Sequence, residues 1–241
     1  FVRGEVGAVA LRIFNSRALL GLATAIGLGL AGALVPVGAA SAEEALPPLP
    51  ETVSADGLPT VQIDGVVWKQ VIVGNTVYVG GDFQNARPAG AAPGTNLVPR
   101  TNLLAYDIRT GNLITSFNHT LNGIVQDMAA SPDGKRLYIV GGFTTVDGQT
   151  RNRIAGFDLP SGALSTTFAP NSNGNTKSVA ATNTTVYAGG YFSAMNGATR
   201  YRMAAINASN GAVVRDFVPR VDDRQVQSIV VAPDEKSVVI S

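Results

Sequence analysis

The chain contains no cysteine, and His119 is the only histidine among its 241 residues. The absence of cysteine excludes disulfides, thiolate metal sites, iron–sulfur clusters and cysteine nucleophiles. The single histidine excludes a metal site that is built from several histidines. We therefore predict no metal and no cofactor, and the sequence offers no set of catalytic residues.

Charge is also scarce, because charged residues make up 15% of the chain and the net charge is +1. This balance provides no basic surface for nucleic acid, so no nucleic-acid partner is expected. Apolar residues make up 45%, which excludes a disordered chain. Arginine outnumbers lysine 14 to 4 and alanine and glycine are abundant, a bias that is common in high-GC bacteria.

Residues 1–42 have the pattern of a secretory signal peptide. Three arginines precede an uncharged apolar run over residues 18–35, and residues 40–42 form an A-x-A cleavage site before two glutamates. An uncleaved membrane anchor is the alternative, since the run is near the lower length limit for spanning a bilayer. Glycines within the run and Pro36 behind it favour cleavage. We therefore predict a protein that is secreted or at the cell surface and meets the membrane only through this segment.

Residues 43–65 contain four prolines and show neither a helical nor a strand period. This composition predicts an extended linker, and a disordered N-terminus of the mature chain is the alternative. The folded part is accordingly expected to span residues 66–241.

From residue 66 onward a unit of about fifty residues recurs, and five positions mark each copy. A tyrosine is followed five residues later by a phenylalanine; an arginine is followed after seven residues by Asp or Asn, and after ten more by another phenylalanine. The spacings are constant in three copies. The marking residues are Tyr78, Phe83, Arg100, Asp107 and Phe117 in the first copy, Tyr138, Phe143, Arg151, Asp158 and Phe168 in the second, and Tyr187, Phe192, Arg200, Asn207 and Phe217 in the third.

Each copy contains four short β-branched and aromatic runs separated by turn residues that tolerate positive φ. In the second copy these runs are residues 124–130, 136–143, 152–159 and 163–168. No helical period appears after residue 42, and four antiparallel strands repeated at this interval predict an all-β fold made of β-propeller blades. A fourth copy begins at residue 225 and stops in its second strand. We expect about three and a half blades, hence a fragment of a ring that the remaining blades of the same chain would close.

Two details of the repeat predict how the blades pack. Tyr138 and Phe143 lie five apart, so they are expected on opposite faces of one strand, as a blade that packs on both sides requires. Each copy also has a double glycine before its first phenylalanine. Gly141 and its equivalents are expected where another backbone or a bulky side chain approaches closely.

Several short motifs recur in order in the second and third copies. They are Gly141-Gly142-Phe143-Thr144, Asp147-Gly148, Arg153-Ile154-Ala155-Gly156-Phe157-Asp158 and Phe168-Ala169-Pro170, followed by Gly189-Gly190-Tyr191-Phe192, Asn196-Gly197, Arg202-Met203-Ala204-Ala205-Ile206-Asn207 and Phe217-Val218-Pro219. Over about residues 66–241 the chain resembles the delta-sixty repeat of secreted bacterial β-propellers. That resemblance implies a propeller, often within a larger surface protein, and no settled activity or catalytic residue.

Two other propeller repeats fit less well. Kelch repeats share the double glycine and the period, so the chain is distantly kelch-like, but Trp68 is the single tryptophan and their recurring tryptophan is missing. The recurring His and Trp-Asp of WD-type blades are missing too.

Most residues with side chains that could serve in a functional site have a structural explanation. The paired positions Arg100 and Asp107 recur in every copy, and a repeat needs one brace per blade whereas catalysis needs one constellation. His119 has no second histidine and is expected to be structural or exposed.

Other polar groups give equally weak signals for a site. Asp216, Asp222 and Asp223 offer carboxylates, but a glycosidase needs two carboxyl groups about 5 to 9.5 Å apart and the sequence does not bring any two together. Residues 171–176 could supply oxygen ligands to calcium, but they lack carboxylates and are predicted to form a turn. N-glycosylation acceptor patterns, which such an Asn- and Thr-rich chain is expected to contain by chance, begin at Asn118, Asn183 and Asn207.

Two functions from different classes remain open. The first is a non-catalytic scaffold whose rim loops bind an extracellular protein or glycan. The second is an extracellular propeller enzyme that acts on a carbohydrate or lactone, with its active site outside this fragment. Fold alone does not choose between them, and neither hypothesis assigns binding residues.

The first copy departs from the others by nine extra residues between Phe83 and Arg100, placed within residues 87–99. Insertions in repeat proteins are tolerated at rims, where binding residues are also found. The segment is thus a candidate contact loop, and neutral drift of a solvated loop is the alternative. Because the flanking spacing is kept, excision of the nine residues is expected to leave folding intact.

Overall fold

A computed structural model of the chain describes residues 59–222 and 224–241. This part is all-β, as predicted, because each of its regular elements is a β-strand and none is an α-helix. Across the same residues there is no helix with the length and apolarity needed to cross a membrane. The predicted signal peptide and residues 43–58 of the predicted linker lie outside the described residues.

The folded region begins earlier than the boundary predicted at residue 66. Strand β1 (Gln62–Ile63) pairs with β4 (Asn85–Arg87), which in turn pairs with β5 (Val98–Pro99). The amide of Val61 donates to the carbonyl of Gly111 at 2.9 Å. Val61 and Ile63 also pack on a buried apolar cluster of the first copy. The linker boundary therefore needs correction, because these two apolar side chains cover a sheet face that solvent would otherwise reach.

The main sheets follow the repeat, and all their pairings are antiparallel. Blade 1 consists of β2 (Val66–Val73), β3 (Thr76–Asp82) and β6 (Leu103–Asp107); blade 2 of β7 (Val125–Ala130), β8 (Arg136–Gly141), β11 (Ile154–Asp158) and β12 (Ala163–Leu164); blade 3 of β13 (Asn175–Ala181), β14 (Thr185–Tyr191) and β17 (Met203–Asn207); and a fourth unit of β18 (Ile229–Val231) and β19 (Val238–Ile240).

The predicted four-stranded blade is confirmed for blade 2 only. Its strands lie in the order β12-β11-β8-β7. In blades 1 and 3 the fourth run forms a single bridge, Tyr106 with Leu113 and Ile206 with Val213. There the chain leaves the sheet after a short contact with the third strand, so those blades have three strands.

A small hairpin connects the second and third strands of each blade. In blade 2 it is β9 (Thr145–Val146) with β10 (Gln149–Thr150), and in blade 3 it is β15 (Ala194–Met195) with β16 (Ala198–Thr199). Their two-residue turns have positive φ at both positions, as in Asp147-Gly148 with 49° and 72°. In blade 1, β4 and β5 are the equivalent strands, and residues 87–97 replace the two turn residues. The insertion therefore lies in this turn, as predicted.

The first strands of successive blades lie beside one another, β2 next to β7, β7 next to β13, and β13 next to β18. Lys69 of β2 and Asp127 of β7 form an ion pair at 3.0 Å, and Asp127 also accepts from the amide of Val179 in β13 at 2.9 Å. The sheets thus radiate from a shared line of first strands. These contacts between neighbouring blades show a propeller-like arrangement.

Each pair of neighbouring blades encloses its own apolar core. Tyr138 belongs to the cluster shared with blade 3, whereas Phe143 belongs to the cluster shared with blade 1. The two residues therefore serve opposite faces of blade 2, as their spacing predicts. Within each copy the marking tyrosine also contacts the final phenylalanine, with ring centroids 5.1 Å apart for Tyr78 and Phe117 and 4.9 Å apart for Tyr138 and Phe168.

The glycine two residues before each first phenylalanine is the one that the fold requires in every copy. A Cβ on Gly141 would overlap the carbonyl oxygen of Ile124, and Gly81 and Gly190 face the carbonyls of Val66 and Asn175 in the same way. Each close approach adjoins a β-bulge in the first strand. The predicted close backbone contact is confirmed at this position.

Candidate binding site

The recurring arginines are structural braces, and their partners are main-chain carbonyls. Arg151 is 7% exposed and donates to the carbonyls of Thr150 at 2.8 Å and Ser165 at 2.9 Å. Arg100 and Arg200 make the equivalent bonds. Burial lowers the pKa of Arg151 from its ordinary value because it disfavours the charged form. Each of these side chains fastens a hairpin to the fourth run of its own blade.

The marking Asp and Asn residues do not pair with these arginines. Asp107 accepts from the amides of Arg109 and Thr110, and Asn207 accepts from the amide of Ser209. Asp158 forms an ion pair with Arg136 at 3.4 Å. Asp107 and Asn207 therefore stabilise the turn after the third strand, whereas Asp158 links the third strand to the second. The Arg and the Asp or Asn of each copy thus have separate partners and do not brace each other.

His119 is structural in this fold. Its ring lies 4.7 Å from that of Phe117 and 4.5 Å from that of Phe157, measured between centroids. Its Nδ1 contacts a carboxylate oxygen of Asp147 at 2.7 Å, and its Nε2 contacts the carbonyl of Gly162 at 2.9 Å. The side chain thus links the loop after blade 1 to two turns of blade 2.

The other polar candidates do not converge in the described part of the chain. Asp222 pairs with Arg220 at 2.7 Å, Asp216 is exposed, and Asp223 lies outside the described residues. The turn predicted over residues 171–176 is only a bend at residues 173–174, because Ser172 bridges to Met195 and β13 begins at Asn175. Among residues 59–222 and 224–241 no cluster of three or more His, Asp or Glu has a geometry that could hold a metal ion.

A short recurring motif that the spacing analysis missed holds the hairpins. Asp64, Asn122 and Asn173 each precede a glycine and a first strand, and each accepts from two consecutive hairpin amides. For Asn173 these amides belong to Ser193 at 3.0 Å and Ala194 at 2.9 Å. The motif Asp/Asn-Gly before the first strand was the available signal.

Asp64 gives this motif a pH dependence in blade 1 alone. Desolvation is the largest single influence and raises the pKa of Asp64, but hydrogen bonds from Asn85 and Gln84 together bring it below the ordinary value of 3.8. A depressed pKa in the folded state stabilises the fold above the ordinary value. That stabilisation is lost as the pH falls through the lowered pKa.

Replacing Asp64 by asparagine is expected to remove this acid sensitivity while keeping the fold at pH 7, because Asn122 and Asn173 perform the same task as amides. The stability change at pH 7 should stay within about 0.5 kcal/mol, as for other surface substitutions. Urea midpoints at pH 7 and pH 3 should differ less in Asp64→Asn than in the wild type. Asn122→Asp is the reverse control and should widen that difference. If the urea midpoint of Asp64→Asn fell between pH 7 and pH 3 by as much as that of the wild type, this role of Asp64 would be contradicted.

The hairpins and the adjoining strand ends form one surface, the hairpin rim, made of residues 83–102, 142–153 and 191–202. The second strands end there and the third strands begin there, so equivalent positions of the three blades can be compared directly. Arg153 and Arg202 both have positive φ, 68° and 65°, as does Asn102 with 66° in the first blade. This left-handed backbone is common to the three copies.

Two exposed tyrosines on the rim break the repeat. Tyr191 precedes Phe192 and is 65% exposed, and Tyr201 follows Arg200 and is 54% exposed. The equivalent residues are Asp82 and Gly142 for the first tyrosine, and Thr101 and Asn152 for the second. Neither tyrosine is therefore required by the architecture of the blade.

Both tyrosines line one open cleft of about 570 Å³, with Arg153, Arg202 and Asn175 among the other lining residues. Tyr201 and Arg202 also line an adjoining cleft of about 650 Å³ that extends toward Val218 and Arg220. We call the two together the tyrosine cleft. Such volumes are of the size that small-molecule and oligomer ligands occupy.

The predicted contact loop of blade 1 lies on the same rim. Arg87 donates to the side chain of Gln62 at 3.0 Å and to the carbonyl of Ala91 at 3.2 Å. Residues 89–97 are mostly exposed. A cleft of about 260 Å³ lies beside the loop, between Pro88 and Leu113.

No protein-family model and no curated protein matches this chain in sequence. Among solved structures, one described as U3-55K has 11% identity and a TM-score of 0.48, covering 75% of this chain and 54% of its own. Another, described as RRP9 WD40 repeats, has 11% identity and a TM-score of 0.49, with coverages of 76% and 55%. This chain spans about half the length of either structure.

Proposed function

We propose that this chain is part of a secreted or cell-surface β-propeller scaffold of the delta-sixty type, which binds an extracellular protein or glycan through its hairpin rim without catalysis. The observation that carries the proposal is the pair of exposed tyrosines at positions where the other two blades have no aromatic residue. Residues that stabilise a blade recur in each copy, as Arg151 does. Residues that contact a partner need not recur.

The composition of the rim supports binding. Exposed tyrosines combine an apolar ring with a polar hydroxyl, and they are enriched at recognition surfaces for that reason. Other exposed apolar side chains lie mainly on β2, as Trp68 does at 59% exposed, and on the sheet of the fourth unit, as Val239 does at 66% exposed. The predicted signal segment in residues 1–42 supports an extracellular location for such a surface.

The proposal is tested by applying the full chain to a printed array of polysaccharides and extracellular-protein peptides. The double variant Tyr191→Ala/Tyr201→Ala is expected to lose at least about tenfold in affinity for any bound probe, since buried aromatic anchors contribute most of an interface. A second variant replaces residues 87–97 by Asn-Gly, the turn length of the other hairpins. Loss of binding in either variant places the contact on the hairpin rim.

Val239→Ala is the matched control, because it removes an exposed apolar side chain away from the rim. Each variant must keep the wild-type thermal midpoint for the comparison to hold. Binding that falls only in Val239→Ala would refute the rim as the contact surface. An array on which the folded full chain binds nothing would refute the scaffold function.

A further inference from the structure

Among the described residues, the side chains that line the tyrosine cleft include more positive than negative charges. Arg153 and Arg202 line its first part, and the described residues around that part include no carboxylate. In the adjoining part the carboxylate of Asp222 is engaged by Arg220 at 2.7 Å. An anionic ligand is therefore favoured over a neutral or cationic one.

The two guanidinium groups are only partly committed to the protein. Arg153 makes one long contact, from Nη1 to the carbonyl of Ser172 at 3.4 Å, and its buried Nε has no partner among the described residues. Arg202 uses Nε and Nη1 on the carbonyls of Arg224 and Val221. Donors remain for a planar anion, and guanidinium matches a carboxylate in geometry as well as charge.

Three main-chain amides that border the cleft already have partners. The amides of Ser193 and Ala194 donate to Asn173, and the amide of Arg202 donates to the carbonyl of Phe192 at 2.9 Å. A peptide that binds by strand addition needs free main-chain groups at a sheet edge. Recognition here must rest on side chains, namely tyrosine rings and guanidinium groups.

Tyrosine rings suit a flat ligand that has both apolar and polar atoms. A sugar ring presents C–H groups on its face and hydroxyls at its edge, and a tyrosine presents an apolar body with a polar tip. A sugar acid adds the carboxylate that the arginines favour. One ligand class thus uses both features of the cleft.

We propose that the tyrosine cleft binds a saccharide that contains uronic acid, with sugar rings against Tyr191 and Tyr201 and carboxylates on Arg153 and Arg202. This inference rests on the proposed function and names the ligand class of the same site. The rings provide contact area, and the guanidinium groups select the acid over its neutral relatives.

The test measures binding of trigalacturonic acid to the full chain by calorimetry, beside its methyl ester and a hexaglutamate peptide. We expect the ester to bind at least about tenfold more weakly than the acid, because a charge-assisted hydrogen bond contributes that much. We expect the peptide to bind more weakly than the acid too, because it has carboxylates but no sugar rings to pack on the tyrosines. Arg153→Gln is expected to reduce affinity for the acid by a similar factor. Affinity for the acid should also fall as salt rises.

Arg109→Gln is the matched control, since it removes the same charge from an exposed side chain that pairs with Asp107 away from the cleft. It should bind the acid as the wild type does. Equal binding of acid and ester, or preferential binding of hexaglutamate, would overturn the saccharide assignment. If the tyrosine double variant loses an array ligand while trigalacturonic acid does not bind, the rim function stands and the uronic-acid class is wrong.

Discussion

A Phe168→Ala variant of the full chain is expected to lose about 3–5 kcal/mol of unfolding free energy, the range that buried phenylalanines lose on truncation. Phe168 is fully buried, and its ring lies 4.9 Å from that of Tyr138 in the core between blades 2 and 3. A Cβ on Gly156 would lie 2.9 Å from the Phe168 ring, so the absence of a side chain at Gly156 leaves space for that ring. Truncation therefore leaves a cavity with walls that cannot easily collapse.

Phe217→Ala is the matched control, because Phe217 holds the same position in blade 3 and is only half-buried. Its ring is 5.5 Å from that of Tyr187, so the aromatic pair is kept while the burial is smaller. Urea unfolding followed by circular dichroism should show a much larger fall in midpoint for Phe168→Ala at similar slope. Equal losses at the two positions would show that burial between blades does not set the cost.

The face assignments of the blades could be read from the sequence because they depend on spacing alone. Tyr138 and Phe143 are an odd number of residues apart, and a strand alternates its faces with a period of two. The hairpin turns were equally accessible, since Asp147-Gly148 and Asn196-Gly197 stand at the same offset and require positive φ. The site of the nine-residue insertion followed from the same comparison.

The hairpin supports escaped the sequence analysis because their spacing varies. From Asp64 to Phe83 the chain has the same length as from Asn173 to Phe192, but Asn122 to Phe143 is two residues longer. The buried arginines were recognised as structural, but their partners were not. Every residue has a main-chain carbonyl, so the sequence does not reveal which carbonyls the arginines contact. The recurring Asp or Asn suggested a side-chain partner for each arginine instead.

The tyrosine cleft was not predicted as a site, since its members come from two blades. Arg153 follows the hairpin of blade 2, whereas Tyr191 and Tyr201 flank that of blade 3. Only the packing of one blade on the next brings them together. A signal did exist: both tyrosines depart from the other copies at positions next to marking residues, where an exposed aromatic has no structural purpose.

Gly141→Ala is expected to destabilise the full chain by about 3 kcal/mol, the upper part of the usual cost of overpacking. The added methyl would overlap the carbonyl oxygen of Ile124, and Gln126 N would lie 3.1 Å from it. Both atoms belong to main chain at the bulge of β7, so neither can rotate away as a side chain could. Relief requires β7 to move, and β7 carries Asp127, which links three blades.

Gly142→Ala separates this steric cause from the general effect of replacing glycine. Neither glycine has positive φ, so alanine brings no backbone strain at either position. The nearest atom to a Cβ on Gly142 is Cγ1 of Ile124 at 3.6 Å, an ordinary van der Waals contact. The urea midpoint of Gly142→Ala should stay near that of the wild type, because alanine makes the unfolded chain less flexible and this offsets any small cost in the folded state. Two variants of equal stability would contradict the close approach at Gly141, and with it the bulge that all three blades share.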